Sequence, residues 1–227
     1  MYSLMQKQAE VLELISKKSG LNIVLVKTPD GAENYAINYI NLTGDIREGD
    51  RVVVNTTAVD LGLGTGGYHF VITNLDNIGN DSREDTDIEN SNSQQNRGHI
   101  MKMRYTPFQV KTLSVEEEDS PYHSQIEGIK SLKGMIVVII PLHSLLAPLA
   151  VTFKEFFPDK KITYIMTEGG SLPLDFSFTV SSLKKKGLIT DTITVGQAFG
   201  GDIEAVNIFT ALKAEKKILK SDLIVVG

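Results

Sequence analysis

From Gly134 to the end, one rhythm repeats: a short β-branched apolar run, a polar loop, then apolar residues at helical spacing. MIVVII (135–140) precedes Leu145, Leu149, Phe153 and Phe156, and KITYIM (161–166) precedes Phe176, Val180 and Leu183. LITDTITV (188–195) precedes Val206, Phe209 and Leu212, and DLIVVG (222–227) follows. Three βα units and a fourth strand predict a mostly parallel, Rossmann-like sheet with helices over its faces. MIVVIIPLHSLLAPLAVTF (135–153) has the length of a membrane span. Pro141, His143, Ser144 and Pro148 interrupt it, however, and its first half has the composition of a buried strand.

The N-terminal half is punctuated differently. LNIVLVK, NYAINYI, RVVVNTT, YHFVITN and HIMKMRY read as strands, with turn signals at Asp30-Gly31 and Gly49-Asp50. QAEVLELIS fits either period, and strand is favoured. The expected architecture is α+β. A small antiparallel β-barrel occupies 1–110, a connector 111–133, and an α/β parallel-sheet domain 134–227. The run from Asp76 to Arg97 holds six acids and two bases and almost no apolar residues, so a mobile acidic loop is expected at 76–97.

Composition closes off several chemistries. The absence of cysteine removes thiolate nucleophiles, disulfides and Cys-ligated metals, and suits a reducing cytoplasm. A net charge of -5 argues against a nucleic-acid or anionic-membrane binder, and MYSLMQKQAE does not start like a signal peptide. A cytoplasmic protein with a small-molecule ligand is expected, and a homo-oligomer is compatible with this.

Ligands of parallel sheets bind beyond the carboxyl ends of the strands. Three polar, glycine-rich loops stand there: Pro141–Ser144, Met166–Pro173 and Gly196–Asp202 with Glu204 beyond. The catalytic candidates are His143, Glu168 and Asp202. Ser144, Thr167, Gly169, Gly170, Gln197, Gly200, Gly201 and Glu204 are the ligand-binding candidates, the glycines presenting backbone N–H groups to an anion. Each also has a plain structural role: Asp202 as a helix N-cap with Glu204 in the first turn, Ser144 as a cap of the first helix, and His143 as a donor to a backbone carbonyl. A triad of Ser144, His143 and Asp202 is disfavoured, because adjacent His and Ser side chains diverge and no G-x-S-x-G elbow is present. No metal is assigned; only an oxygen-ligand magnesium site through Asp202, Glu204 or Glu168 stays open.

Gly62, Gly64 and Gly67 match G-x-G-x-x-G, yet YHFVITN follows as a strand where a dinucleotide fingerprint must open a helix. Gly64, Gly66 and Gly67 remain ligand-loop candidates through close backbone approach. Lys102, Arg104 and Tyr105 form a short basic–aromatic triplet of the kind nucleic-acid binders use, though ordinary strands produce such triplets often.

The segments NTTAVDLGLGTGGYHFVITN, GHIMKMRYTPFQ, PLHSLLAP, MTEGGSLP and AFGGDIEAVN, in this order, resemble those of an uncharacterised family of Gram-positive bacteria, domain of unknown function 3866. The resemblance covers nearly the whole chain and implies that the glycine loop and the loops at His143, Glu168 and Asp202 belong to one recurring design. It brings no reaction and no cofactor. The family commonly has a histidine where this chain has Gln197, and its members continue past DLIVVG into another glycine-rich stretch. The expected function is binding of a small anionic or nucleotide-like ligand at the strand ends, with catalysis left open. The alternative is a non-catalytic RNA- or protein-binding adaptor that uses the barrel as its surface.

Overall fold

A computed structural model describes residues 4–18, 20–62, 67–78, 98–170 and 173–227. The chain divides into two compact units, residues 1–91 and 92–227.

The first unit is a closed five-stranded barrel. Its elements are β1 (Gln6–Lys18), β2 (Leu21–Lys27), β3 (Glu33–Tyr39), one-turn α1 (Ile40–Thr43), β4 (Arg51–Asn55), one-turn α2 (Thr57–Asp60) and β5 (His69–Asn74). The closed order is β1-β2-β3-β5-β4, with β3 and β5 parallel and the other pairs antiparallel. This is the connectivity of the oligonucleotide- and oligosaccharide-binding barrel. Register shifts between Val11 and Glu13 and between Leu14 and Ser16 bend the long β1. Its first half therefore pairs with β4 and its second with β2. Alternate positions point inward, and Val11, Val24, Val26, Ala36, Val52, Val54 and Val71 fill the barrel with Ile46. QAEVLELIS is strand, as expected. Of the acidic loop expected at 76–97, residues 79–97 lie outside the described residues.

HIMKMRY, expected among the barrel strands, pairs elsewhere. β6 (Ile100–Lys102) forms a two-stranded ribbon with β7 (Val110–Thr112) within the second unit. The 111–133 segment is also more than a connector. The Val115 amide donates to the Glu204 carbonyl at 2.8 Å, and Val115 and Ile126 of α3 (His123–Glu127) enter the core.

The rest of the second unit is a parallel sheet of β8 (Val137–Ile139), β9 (Ile162–Met166), β10 (Asp191–Val195), β11 (Ile203–Ala205) and β12 (Leu223–Val226). The strand order is β11-β10-β9-β12-β8. Helices α4 (Leu146–Phe156) and α5 (Phe178–Lys185) cover one face through Leu146, Ala150, Val180 and Leu183. Helix α6 (Ile208–Ala214) covers the other with α3, through Ala211, Ala214 and Ile126. Crossovers of one hand running in opposite directions along a sheet place their helices on opposite faces, giving three layers. Because β12 inserts between β9 and β8, all four of its residues are buried. Residues 135–153 split into β8 and the start of α4, and no helix among the described residues is long and apolar enough to cross a membrane.

β11 stands where a helix start was expected. Its three residues are too few to show a period, and only seven residues separate it from β10, without the usual crossover helix. Gly196 and Gly200, at φ 66° and 92°, make so short a return feasible. Asp202 consequently precedes a strand and caps no helix, and Glu204 lies in β11 and not in a first helical turn. Asn207 caps α6 instead, accepting from the amides of Phe209 and Thr210 at 2.9 and 3.2 Å.

Candidate functional site

The crossover from β8 to β9 skips the position that β12 later fills, so the loops leaving β8 and β9 diverge above the end of β12. An open cleft of about 540 Å³ lies between them. Ile139, Ile140, Leu142 and Val226 supply an apolar wall; His143, Thr167, Gly169 and Gly170 supply polar and backbone groups. This is the carboxyl edge of the sheet, where open α/β folds take ligands. The Thr167 amide donates to the Gly227 carbonyl at 2.8 Å and ties the β9 loop to the end of β12. A Cβ on Gly170 would meet Met166 Cγ at 3.2 Å, whereas Gly169 has only Thr167 Oγ1 within reach, at 3.7 Å.

His143 is the chemically richest group in this cleft. Its Nδ1 is 2.8 Å from the Tyr164 hydroxyl and its Nε2 is 2.7 Å from Ser177 Oγ. Ser177 in turn caps α5 by accepting from the Val180 amide at 3.1 Å. Burial lowers the imidazole pKa from its ordinary 6.5 and pushes the fully buried Tyr164 hydroxyl up to about 12. Both groups are therefore neutral at neutral pH. A neutral imidazole has one donor and one acceptor nitrogen, so one hydroxyl donates to the ring while the other accepts from it. His143 thus bridges two hydroxyls. It does not donate to a backbone carbonyl, the structural role expected of it. Ser144 is exposed and makes no cap hydrogen bond; Leu142 and Leu145 hold the cap positions.

The neighbouring loops are joined by hydrogen bonds. Glu168, exposed at the rim, accepts from the Gln197 amide at 3.2 Å, and the Gln197 side-chain oxygen accepts from the Arg104 amide at 3.1 Å. The Leu174 amide donates to the Phe199 carbonyl at 2.9 Å. Gly200 and Gly201, expected as anion donors, have their amides occupied. The first donates to Glu204 Oε1 at 2.8 Å and the second to Thr194 Oγ1 at 3.1 Å. Glu204 Oε2 also accepts from Thr194 Oγ1 at 2.6 Å and pairs with Lys102 Nζ at 2.5 Å.

Lys102 has no solvent exposure, and its Nζ also donates to the Ala198 carbonyl at 2.5 Å. It therefore cannot join a basic surface with Arg104 and Tyr105. The signal missed was alternation: in β6, Lys102 falls on the same side as Ile100. Immediately beyond it, Met103 and Tyr105 take φ of 52° and 63°, a left-handed conformation that costs bulky residues about 1–2 kcal/mol each.

Asp202 lies at the other end of the sheet. The register that sets Ile203 opposite Ile193 puts Asp202 beside Thr192, whose amide and hydroxyl each donate to it at 2.8 Å. Lys184 Nζ reaches both its oxygens at 2.6 Å. Burial works to raise its pKa, but the bonds from Lys184 and Thr192 outweigh this and hold it below the usual value. His143, Glu168, Asp202 and Glu204 therefore do not converge: the first lines the cleft, the second stands at its rim, the third is at the amino end of β10 and the fourth is taken by Lys102. Asp202, Glu204 and Glu168 are therefore not brought together as shared ligands of one magnesium ion. Among the described residues, no group of three or more His, Asp or Glu side chains could hold a metal.

Sequence reasoning missed Asp175. Its carboxyl is pushed up to about 6, first by burial and then by Glu204, with Lys184 opposing and Asp202 adding. Nothing in SLPLDFS announces this, because the burial that dominates the shift and the charges of Glu204 and Asp202 that add to it come together only on folding. Gly64 and Gly66 lie outside the described residues. Gly67, in the barrel unit, has φ 78° and open space where a Cβ would stand, and the chain continues into β5, as a strand and not the helix of a dinucleotide fingerprint.

Comparison with known families matches residues 35–227 to a protein of unknown function (DUF3866). No curated protein and no solved structure matches the chain. The match begins within β3 and runs to β12, hence takes in three of the five barrel strands and the whole sheet unit with its cleft, and the chain belongs to the DUF3866 family.

Proposed function

We propose that the chain binds a small anionic, nucleotide-like molecule in the cleft at the carboxyl ends of β8, β9 and β12, with His143 as a ring held in place in its wall. The observation that carries this reading is His143 itself, which lines the cleft while both its ring nitrogens are held by Tyr164 and Ser177. The two hydrogen bonds fix the orientation of the neutral imidazole, so the cleft wall presents a preformed surface to a ligand. The apolar wall suits a ring or chain, and Thr167 and Gly169 in the lining suit a polar end. Lack of cysteine fits a cytoplasmic setting.

Native mass spectrometry of the full chain against nucleotides and sugar phosphates tests this. A retained ligand that is lost in His143→Leu supports it; no retained ligand, or one that His143→Leu holds equally well, overturns it.

An adaptor reading, with the barrel as an RNA- or protein-binding surface, draws on the barrel's connectivity. Residues 1–91 carry seven Lys and Arg against fourteen Asp and Glu, the opposite of what a phosphate backbone requires. The cleft reading is therefore preferred.

A further inference from the structure

We infer that β8 is a dimerisation edge, on which a second copy of this chain pairs its own β8 antiparallel and joins the two sheets into one. The inference is independent of the ligand reading above, because it rests on the open edge of the sheet and not on the cleft.

The two edges of the sheet are finished differently. Beyond β11, Ser114 forms a parallel bridge to Glu204, the Val115 amide donates to the Glu204 carbonyl at 2.8 Å, and Ile203 and Ala205 are buried. At the opposite edge, β8 pairs only with β12 among the described residues. MIVVII (135–140) contains no charge and no proline, and its register with β12 has no bulge. Ile136 is 64% and Ile139 78% exposed, and Val137, Leu142 and Leu145 are exposed with them. Folded proteins blunt an open edge with lysine, proline or a bulge, or else cover it. This strand carries none of those devices, so its chemistry is that of an edge meant to be paired.

The backbone of β8 is complementary to itself. The Ile140 amide donates to the Val226 carbonyl at 2.8 Å and the Ile224 amide to the Ile136 carbonyl at 3.0 Å, so the even-numbered residues bond β12. Alternation then turns the N–H and C=O groups of Val137 and Ile139 outward. A two-fold axis through Val138 sets Val137 opposite Ile139 of the second copy, and each of the two such pairs exchanges both its hydrogen bonds.

The area is also sufficient. The five exposed side chains carry on the order of 500 Å² of apolar surface, which is what one side of a standard interface of ~800 Å², about 65% non-polar in homodimers, contains. A strand without charge selects an equally uncharged strand, and an identical β8 meets that requirement with matching hydrogen bonds.

Sedimentation velocity of the full chain, from low to high micromolar concentration, tests this with Ile139→Lys and the double variant Val137→Glu/Ile139→Lys. The parent chain should sediment as a dimer. Ile139→Lys should raise the dissociation constant at least tenfold, and adding Val137→Glu should restore the dimer, because the antiparallel register sets the two new charges opposite each other. A monomeric parent chain, a dimer indifferent to Ile139→Lys, or a folded double variant that stays monomeric overturns the inference. Hydrogen exchange needs no variant: the Val137 and Ile139 amides of the parent chain should be protected at high concentration and lose that protection on dilution. Protection that does not depend on concentration would mean that another segment of the chain covers the edge, and no protection at any concentration would mean that nothing does; either result overturns the inference.

Discussion

Lys102 Nζ lies 2.5 Å from Glu204 Oε2, joining the ribbon that precedes the sheet to the strand at its far edge, with the lysine wholly out of solvent. The same carboxylate holds Thr194 and Gly200, so one pair fixes β6, β10, β11 and the crossover between the last two. Removing the lysine would strand a largely buried carboxylate. Lys102→Met should cost about 3 kcal/mol in denaturant unfolding. Adding Glu204→Gln in the same chain should recover part of this loss, because the uncompensated charge is gone.

The β10–β11 crossover tolerates no side chain at Gly201, where a Cβ would stand 2.8 Å from the Thr194 amide nitrogen. Gly201→Ala should destabilise by about 2 kcal/mol. Gly169→Ala, with its nearest neighbour at 3.7 Å, should change stability by less than about 0.5 kcal/mol. Equal effects at the two positions would contradict the geometry of the crossover.

Burial lowers the His143 pKa in the folded chain, so the unfolded chain takes up a proton more readily. The stability that neutral His143 allows is fully present above its unfolded pKa of about 6.5 and is lost as pH falls from there toward the lower folded value. His69 in the barrel is shifted the same way, also by burial, so the comparison must be made between variants. Melting temperatures from pH 7.5 to 5 should fall less steeply in His143→Gln than in the parent chain.

Asp175 runs with the opposite sign. Its folded pKa, about 6, exceeds the ordinary 3.8, so it favours the fold when protonated, and that contribution is lost as pH rises through 6. Asp175→Asn should therefore stabilise the chain at pH 8 by about 1 kcal/mol, after allowance for its partial exposure, and the gain should shrink toward pH 4.

The βα rhythm after Gly134 was legible because β8, β9 and β10 are β-branched runs with apolar residues at helical spacing downstream, and the strand nature of β1 was legible despite an ambiguous period. β11 was not, since three residues carry no periodicity and its crossover has no helix to announce it. The ribbon strand β6 was placed with the barrel because propensity reports a strand and never its partner. At the site, the carboxyl edge of the sheet and the His143 loop could be anticipated from the βα rhythm and loop composition. The fates of Asp202 and Glu204 could not, since both follow from the parallel register of a strand that sequence did not reveal. Tyr164 and Ser177, which give His143 its character, lie 21 and 34 residues away from it in the chain.

The most direct measurement of the central claim is a methyl NMR titration of the full chain, labelled at Ile, Leu and Val, with AMP. Saturable shifts at Ile139, Leu142 and Val226, with Val24 and Val52 in the barrel and Leu183 on the buried face of α5 unmoved, are the predicted result. Shifts confined to the barrel methyls, with the cleft methyls silent, would contradict it.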